Sequence, residues 1–350
     1  MKRILQIAVI VALTVFFLVL FLRNANLTEV WAMLKTTSPG WLALALMVNF
    51  SALLFRTIRW RIILDYDNPP PFYATFFANT VGYMLSTILP VRVADAARPA
   101  LLARRTTHRF SGALGTVLTE RMLDLFSILT LFITFAALRW NEFSHNPQIA
   151  RWFYIVKAGA IASAVMMGSL MILIFGLFFF RAHIRRLHEY LGRALPKRFR
   201  DSWMHFFDSF VETLALTRQG KAFSLVLLCT AGVWACLTGQ FYLTTLALHR
   251  PLPFDASFFV TGVTTVGLAI PTPGGIGGFH KACQLVLTNF YNFDIDSSVA
   301  TAVLFHIVGT LPVVVTGLLL FVREGLRWRD VTGAAEAPAD PPPTSDDRSL

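Results

Sequence analysis

Runs of about 20 apolar residues, the length needed to cross a hydrocarbon core, recur along this chain. They fall at Ile4–Leu22, Trp41–Ile58, Ala113–Leu138, Trp152–Phe180, Phe223–Leu248 and Val299–Val322. A segment facing lipid must satisfy every backbone N–H and C=O internally, which leaves the helix and the closed barrel. Uninterrupted runs of this length, without strand-like alternation, predict an all-α polytopic membrane protein. The mean hydropathy of +0.59 agrees, as does a composition 55% hydrophobic and 15% charged. Because the spans consume the length, residues 1–325 are expected to form one integral domain. Met1-Lys2-Arg3 before the first run resembles the start of a signal peptide, but the run's length and its lack of a small-residue cleavage site favour a retained anchor.

The formal charge of +11 does not point to nucleic acid. The basic residues cluster at the ends of apolar runs, the positive-inside pattern of membrane proteins. Lys2 and Arg3, then Arg56, Arg59 and Arg61, then Arg323, Arg327 and Arg329 predict cytoplasmic ends, with both termini inside. Trp31, Trp41, Trp60, Trp140, Trp152 and Trp328 sit near run ends, as interfacial anchors should. Residues 181–221 read as a basic, amphipathic cytoplasmic segment, and 332–350 as a disordered cytoplasmic tail rich in small residues and proline. Cys229, Cys236 and Cys283 have no metal-ligand spacing and read as small core residues. No metal and no cofactor are predicted.

Two stretches do not fit simple crossing. Arg92, Arg98, Arg104, Arg105 and Arg109 face a single acid, Asp95, within 91–112. That segment therefore belongs inside, like 56–71 before it. Phe72–Pro90 must then dip in and return, unless it is an ordinary span with a basic outer loop. At the other end, Phe258–Tyr291 starts and finishes outside and carries Pro271-Thr272-Pro273-Gly274-Gly275-Ile276-Gly277-Gly278 at its middle. Proline lacks the helical donor and glycine is entropically costly in a helix, so the chain must break there. Six full spans plus two broken segments entering from opposite faces match the inverted-topology plan of transporters, whose broken helices line a polar site at mid-depth.

Polar residues near these breaks are the candidate substrate-binding groups. Glu120 and Asp124 are four apart and share a helix face, while Arg121 and Asp124 are three apart and can pair. Ionisable groups at that depth cost ~2.5–3.5 kcal/mol on insertion scales and normally face a partner or a cavity. An internal Arg–Asp pair fixing helix packing is the alternative. In Leu89-Pro90-Val91-Arg92-Val93-Ala94-Asp95-Ala96-Ala97-Arg98-Pro99, one helical turn separates Arg92, Asp95 and Arg98. Two guanidiniums with a balancing carboxylate suit a phosphate, because arginine binds it bidentately; positive-inside anchoring is the other reading. Pro273, Gly274, Gly275 and Gly277 allow close backbone approach, and a helix starting near Ile276 would aim free N–H groups at an anion. His280 follows directly. His306, inside the last run, is either a hydrogen-bonded packing residue or a proton carrier.

These motifs, in this order, resemble the flippase-like family that includes the transmembrane region of bacterial lysylphosphatidylglycerol synthases. Pro90, Arg92, Asp95 and Arg98 match its first stretch, with Ala94 for glycine and aspartate for glutamate. Glu120, Arg121 and Asp124 match its Glu-Arg-x-x-Asp. Pro271, Pro273, Gly274, Gly275 and Gly277 match its third, although His280 stands where an acid is usual. The resemblance implies translocation of an anionic lipid or lipid-linked intermediate across a bacterial inner membrane, with membrane lipids as partners and no enzymatic step. Residues 332–350 do not provide the soluble domain on which the synthases carry aminoacyl transfer. An accessory subunit of envelope lipid or glycan assembly, working with a biosynthetic partner, is a second reading. An intramembrane transferase using His280 or His306 as base is a third.

Overall fold

The computed structural model describes residues 2–88, 91–139, 220–268, 270 and 272–325, with scattered helical positions between 154 and 172. The expected span at Trp152–Phe180 lies largely outside the described residues, as do the basic segment 181–221 up to position 219 and the tail 332–350. All regular structure among the described residues is helical.

The chain begins with α1 (Lys2–Leu22), α2 (Leu27–Lys35), α3 (Pro39–Leu64), α4 (Phe72–Ile88), α5 (Val91–Ala103) and α6 (Phe110–Leu138). It resumes with α7 (Gly220–Ala247), α8 (Ala256–Gly267), α9 (Gly278–Phe290) and α10 (Ile295–Arg323). Helices α3, α6, α7 and α10 are each long and apolar enough to cross a bilayer. Exposed Ile307, Leu311, Val315, Leu318 and Val322 recur three or four apart along α10. That apolar stripe is the face expected to meet acyl chains. The short helix α2, an unexpected element, turns away from Ala12–Leu22 by 81°. Its start is set by Asn26, whose side chain accepts from the Thr28 N–H, as helix-opening asparagines do. Asp294 opens α10 in the same way, accepting from the Ser297 N–H at 2.7 Å.

Contacts at the helix ends define two faces. On the basic face, Arg61 donates to the Pro70 carbonyl at 2.8 Å. There Glu324 accepts from the Tyr73 hydroxyl at 2.5 Å and from Arg105 at 2.6 Å. The ends of α3, α5 and α10 and the start of α4 therefore lie together. On the far face, the Ser38 N–H donates to the Ala247 carbonyl at 2.8 Å and the Asn26 N–H to Asp296 at 2.7 Å. Arg139 holds Asp255 there through a second contact at 2.8 Å. The ends of α1, α6 and α7 meet the starts of α3, α8 and α10.

Helices α4 and α5 form a hairpin. Arg98 donates to the Tyr83 hydroxyl at 3.3 Å, pairing positions at similar distances from the turn, so the two helices run antiparallel. Helices α8 and α9 form the second hairpin. The Phe259 and Phe290 rings, near its two open ends, lie 4.9 Å apart. The first hairpin begins and ends on the basic face and the second on the far face. The chain therefore enters along α4 and returns along α5. The expected turning back is present, but the re-entrant segment reaches beyond Phe72–Pro90, and Arg98 lies inside the bundle and not in a cytoplasmic loop. The tips meet: a Cβ built on Gly274 would lie 2.9 Å from the Thr87 carbonyl oxygen. Gly274 also adopts φ +59°, a conformation open to glycine and costly for most side chains.

Candidate functional site

Four charged side chains form a chain through the basic half of the helix bundle. Arg98 on α5 donates to Glu120 Oε2 at 2.7 Å, and Arg59 on α3 donates to Glu120 Oε1 at 3.2 Å. Arg59 continues to Asp124 Oδ1 at 2.8 Å. Alternating charge compensates the cost of burial, which for unpaired ions would be several kcal/mol each. Arg59 and Arg98 are 0% and 1% exposed, and Glu120 1%, whereas Asp124 is 19% exposed at the end of the chain. Arg98 is also clasped between aromatic faces, 4.4 Å above Trp60 and 4.7 Å above Tyr83. The network joins the first hairpin to α3 and α6.

Trp60 is therefore not an interfacial anchor. It is fully buried and donates its indole N–H to Thr116 at 2.9 Å. The seam between α3, α5 and α6 needs a flat platform under Arg98, and Trp60 fills it. Arg59 also departs from its expected role at a cytoplasmic span end. The relevant signal was the spacing of Asn49, Arg56 and Arg59, at seven and then three residues, which places all three on one helical face. Nothing in that spacing tells a snorkelling arginine from a buried one.

Beyond Asp124 lies a cavity of about 550 Å³, within the range of small-molecule sites. Its charged lining, among the described residues, is Arg56, Arg121 and Asp124; Tyr83, Ser86 and Thr87 come from the first hairpin and Gly274 and Gly275 from the tip of the second. Arg56 packs its guanidinium 4.9 Å above the Tyr83 ring, and Arg121 stands 3.7 Å from Asp124. Two arginines against one carboxylate, itself engaged by Arg59, leave the cavity with excess positive charge. Asn49 and Gln240 form the opposite wall. Asn49 donates to Gln240 at 2.6 Å, and Gln240 donates to the Phe305 carbonyl at 3.1 Å.

The structure divides the expected site residues into groups. Arg121, Asp124, Gly274, Gly275 and His306 line the cavity. Arg98 and Glu120 lie behind its wall, in the buried network. Arg92 and Asp95 fall on α5, but their side chains lie outside the described residues, as do Leu89, Pro90 and Pro271. Pro273 starts the tip turn. Gly277 and His280 face elsewhere. A Cβ on Gly277 would lie 2.6 Å from Cβ of Phe17, so the start of α9 abuts α1. The Gly277 N–H is directed at His280 Nδ1, 3.5 Å away. The Gly277 N–H, one of the helix-start donors expected to greet an anion, is thus engaged within its own helix. His280 packs against Phe21 and stacks on His306, with ring centroids 5.1 and 4.6 Å away.

Crossing helices, two opposed hairpins and a polar cavity at their meeting point define a multi-pass helical membrane protein. The Lysylphosphatidylglycerol synthase TM region family matches residues 3–317, and the chain belongs to that family. A UPF0104 membrane protein of Methanocaldococcus jannaschii is 25% identical over 238 residues, which cover 68% of this chain and 92% of the relative.

Proposed function

We propose that this protein moves an anionic lipid, or a lipid-linked intermediate, between the leaflets of a bacterial cytoplasmic membrane, with the basic face cytoplasmic. The observation that carries this reading is the meeting of two opposed hairpin tips, at Thr87 and Gly274, beside a cavity with excess positive charge. A phosphate crossing hydrocarbon alone would meet a prohibitive desolvation cost. Arg56 and Arg121 would replace part of its hydration, while the acyl chains stay in the bilayer. Asp124, held by Arg59, would keep the empty cavity from trapping the anion too tightly, since release requires modest net attraction. Family membership is consistent with a lipid-related role.

The test is reconstitution of the purified chain into liposomes containing fluorescent anionic phospholipid, followed by quenching from outside. Loss of the protected inner-leaflet signal faster than in protein-free liposomes is expected, and Arg121→Ala combined with Arg56→Ala should slow it at least tenfold. Rates equal to those of empty liposomes would overturn the proposal. A new lipid species in mass spectrometry of the same liposomes would instead identify a transferase.

A further inference from the structure

We propose that His306 takes up a proton together with the anionic headgroup, so that the proton is a second substrate and lipid movement is proton-coupled. This deepens the proposed function and rests on the cavity being a headgroup site. The two halves of the bundle follow one plan in opposite senses: a span, a hairpin, a span. Helices α3, α4–α5 and α6 make the first half, and α7, α8–α9 and α10 the second. In the first, the hairpin's returning arm is joined to the following span by a fixed ion pair, Arg98 to Glu120 at 2.7 Å. In the second, the corresponding elements α9 and α10 meet at His280 and His306, with ring centroids 4.6 Å apart. A permanently charged pair in one half thus has imidazoles as its counterpart in the other. Imidazole is the side chain whose ordinary titration falls near neutral pH.

His306 stands where a moving anion needs it. It is half-buried and lines the cavity, and no other described residue hydrogen-bonds its ring. Gln240 links Asn49 to the Phe305 carbonyl, which sets His306 near the level of Asn49. Asn49 is seven residues from Arg56 on α3, about 10 Å nearer the far face. Past Arg56 and Arg121 in that direction, the lining holds no fixed cation among the described residues. His306 is the next group there that can become one.

The charged surroundings keep that ring neutral until an anion arrives. Helix α3 contributes Arg56 to the lining, α4 Tyr83, and α6 Arg121 and Asp124, while the described lining from α7 and α8 has no titratable group. On α9, His280 lies beside the ring and Lys281 turns away to the Leu20 carbonyl at 3.0 Å. Asp124, the acid lining the cavity among the described residues, already accepts from Arg59 at 2.8 Å. An imidazolium in the empty cavity would therefore be a buried cation among other cations, which is costly. A phosphate supplies the missing negative charge. One proton then passes from water to a ring nitrogen of His306, forming an N–H bond, and returns to water when the anion leaves. His280 limits the pair to one proton, since two adjacent imidazoliums repel. By linkage, proton and anion strengthen each other's binding by the same factor.

The test is calorimetric titration of the full chain in detergent with short-chain dihexanoyl phosphatidylglycerol. Repeating it in buffers of different ionisation enthalpy counts the protons taken up per lipid bound. Uptake of about half a proton or more is expected near pH 6.5, and the dissociation constant should fall at least fivefold from pH 8 to pH 6. His306→Gln, with His306→Asn as a second variant, should bind the lipid without proton uptake and with an affinity level across that range. Uptake that persists in these variants, or that vanishes instead with Asp124→Asn, would overturn the assignment. In proteoliposomes of the unaltered protein, an imposed pH gradient should skew the leaflet distribution of fluorescent phosphatidylglycerol; an even distribution would overturn the coupling. If the lipid binds with no proton uptake between pH 6 and pH 8, the coupling fails while the anionic-lipid reading stands. If the lipid is neither bound nor, in its long-chain form, translocated, both fall.

Discussion

Glu120 is the residue on which the buried network turns, since it accepts from both Arg59 and Arg98. Glu120→Ala leaves two sealed guanidiniums facing each other, and losing one partner of a buried ionic network costs about 3–5 kcal/mol. Thermal unfolding in detergent should show that loss. Arg121→Ala should cost under about 1 kcal/mol, because its pair with Asp124 is 3.7 Å long and 44% exposed at the arginine, where solvent screens the gain. Two glycines make a second comparison. A Cβ on Gly82 would lie 2.1 Å from Cγ of Arg98, while one on Gly262 meets nothing within 4 Å. Gly82→Ala should therefore lower stability by about 1–3 kcal/mol through overpacking. Gly262→Ala should hold or raise the unfolding temperature, because alanine is the better helix former. Glu120 and Asp124 could be singled out in the sequence because carboxylates are conspicuous inside an apolar run. Arg59 could not, because arginines at span ends are the rule.

At the scale of elements, the hairpins make a topological prediction. Residues 68 and 107 flank α4–α5 and are exposed, and residue 28 opens α2 on the far face. In sealed vesicles, Asn68→Cys and Thr107→Cys should react with an impermeant maleimide from one side, and Thr28→Cys only from the other. Labelling of positions 68 and 107 from opposite sides would replace the hairpin with a span. The first hairpin was legible from charge: the basic flanks at Arg56 to Arg61 and Arg104 to Arg109 can both lie inside only if the chain turns back between them. The second was legible from the Pro/Gly run. Their tip contact was not, because neither Thr87 nor Gly274 carries any sign of the other. Gly274→Ala, with φ +59° and the Thr87 carbonyl 2.9 Å from the new methyl, should part the tips and slow lipid movement while the protein still folds.

At the scale of the molecule, each face is tied by carboxylates whose acidity reports on the fold. The hydrogen bond from Arg139 holds Asp255 below the usual aspartate range. Glu324 is lowered by the hydrogen bond from Tyr73 and then by that from Arg105. Both groups bind protons less readily folded than unfolded, so their stabilisation is complete above the ordinary carboxylate values and drains away as pH falls through the folded ones. The unfolding temperature should be level near neutrality and drop below about pH 4. Asp255→Asn should flatten part of that drop while lowering stability at pH 7. A drop unchanged in the variant would show that the far-face tie carries no pH dependence.

Bilayer-scale hydropathy made the chain a bundle of crossing helices, because an apolar run in lipid has no other way to satisfy its backbone. Charge at the run ends likewise ordered the helices across the membrane, since both properties belong to short stretches of chain. Which polar groups share a cavity depends instead on rotation and contact among helices far apart in sequence. Arg59 meets Glu120 and Asp124 across 61 and 65 positions, and Asn49 meets Gln240 across 191. Burial energy acts on whole helix faces, so only the packed bundle could place Arg98 behind the wall, turn Gly277 towards α1 and leave Arg56, Arg121 and Asp124 facing the open space.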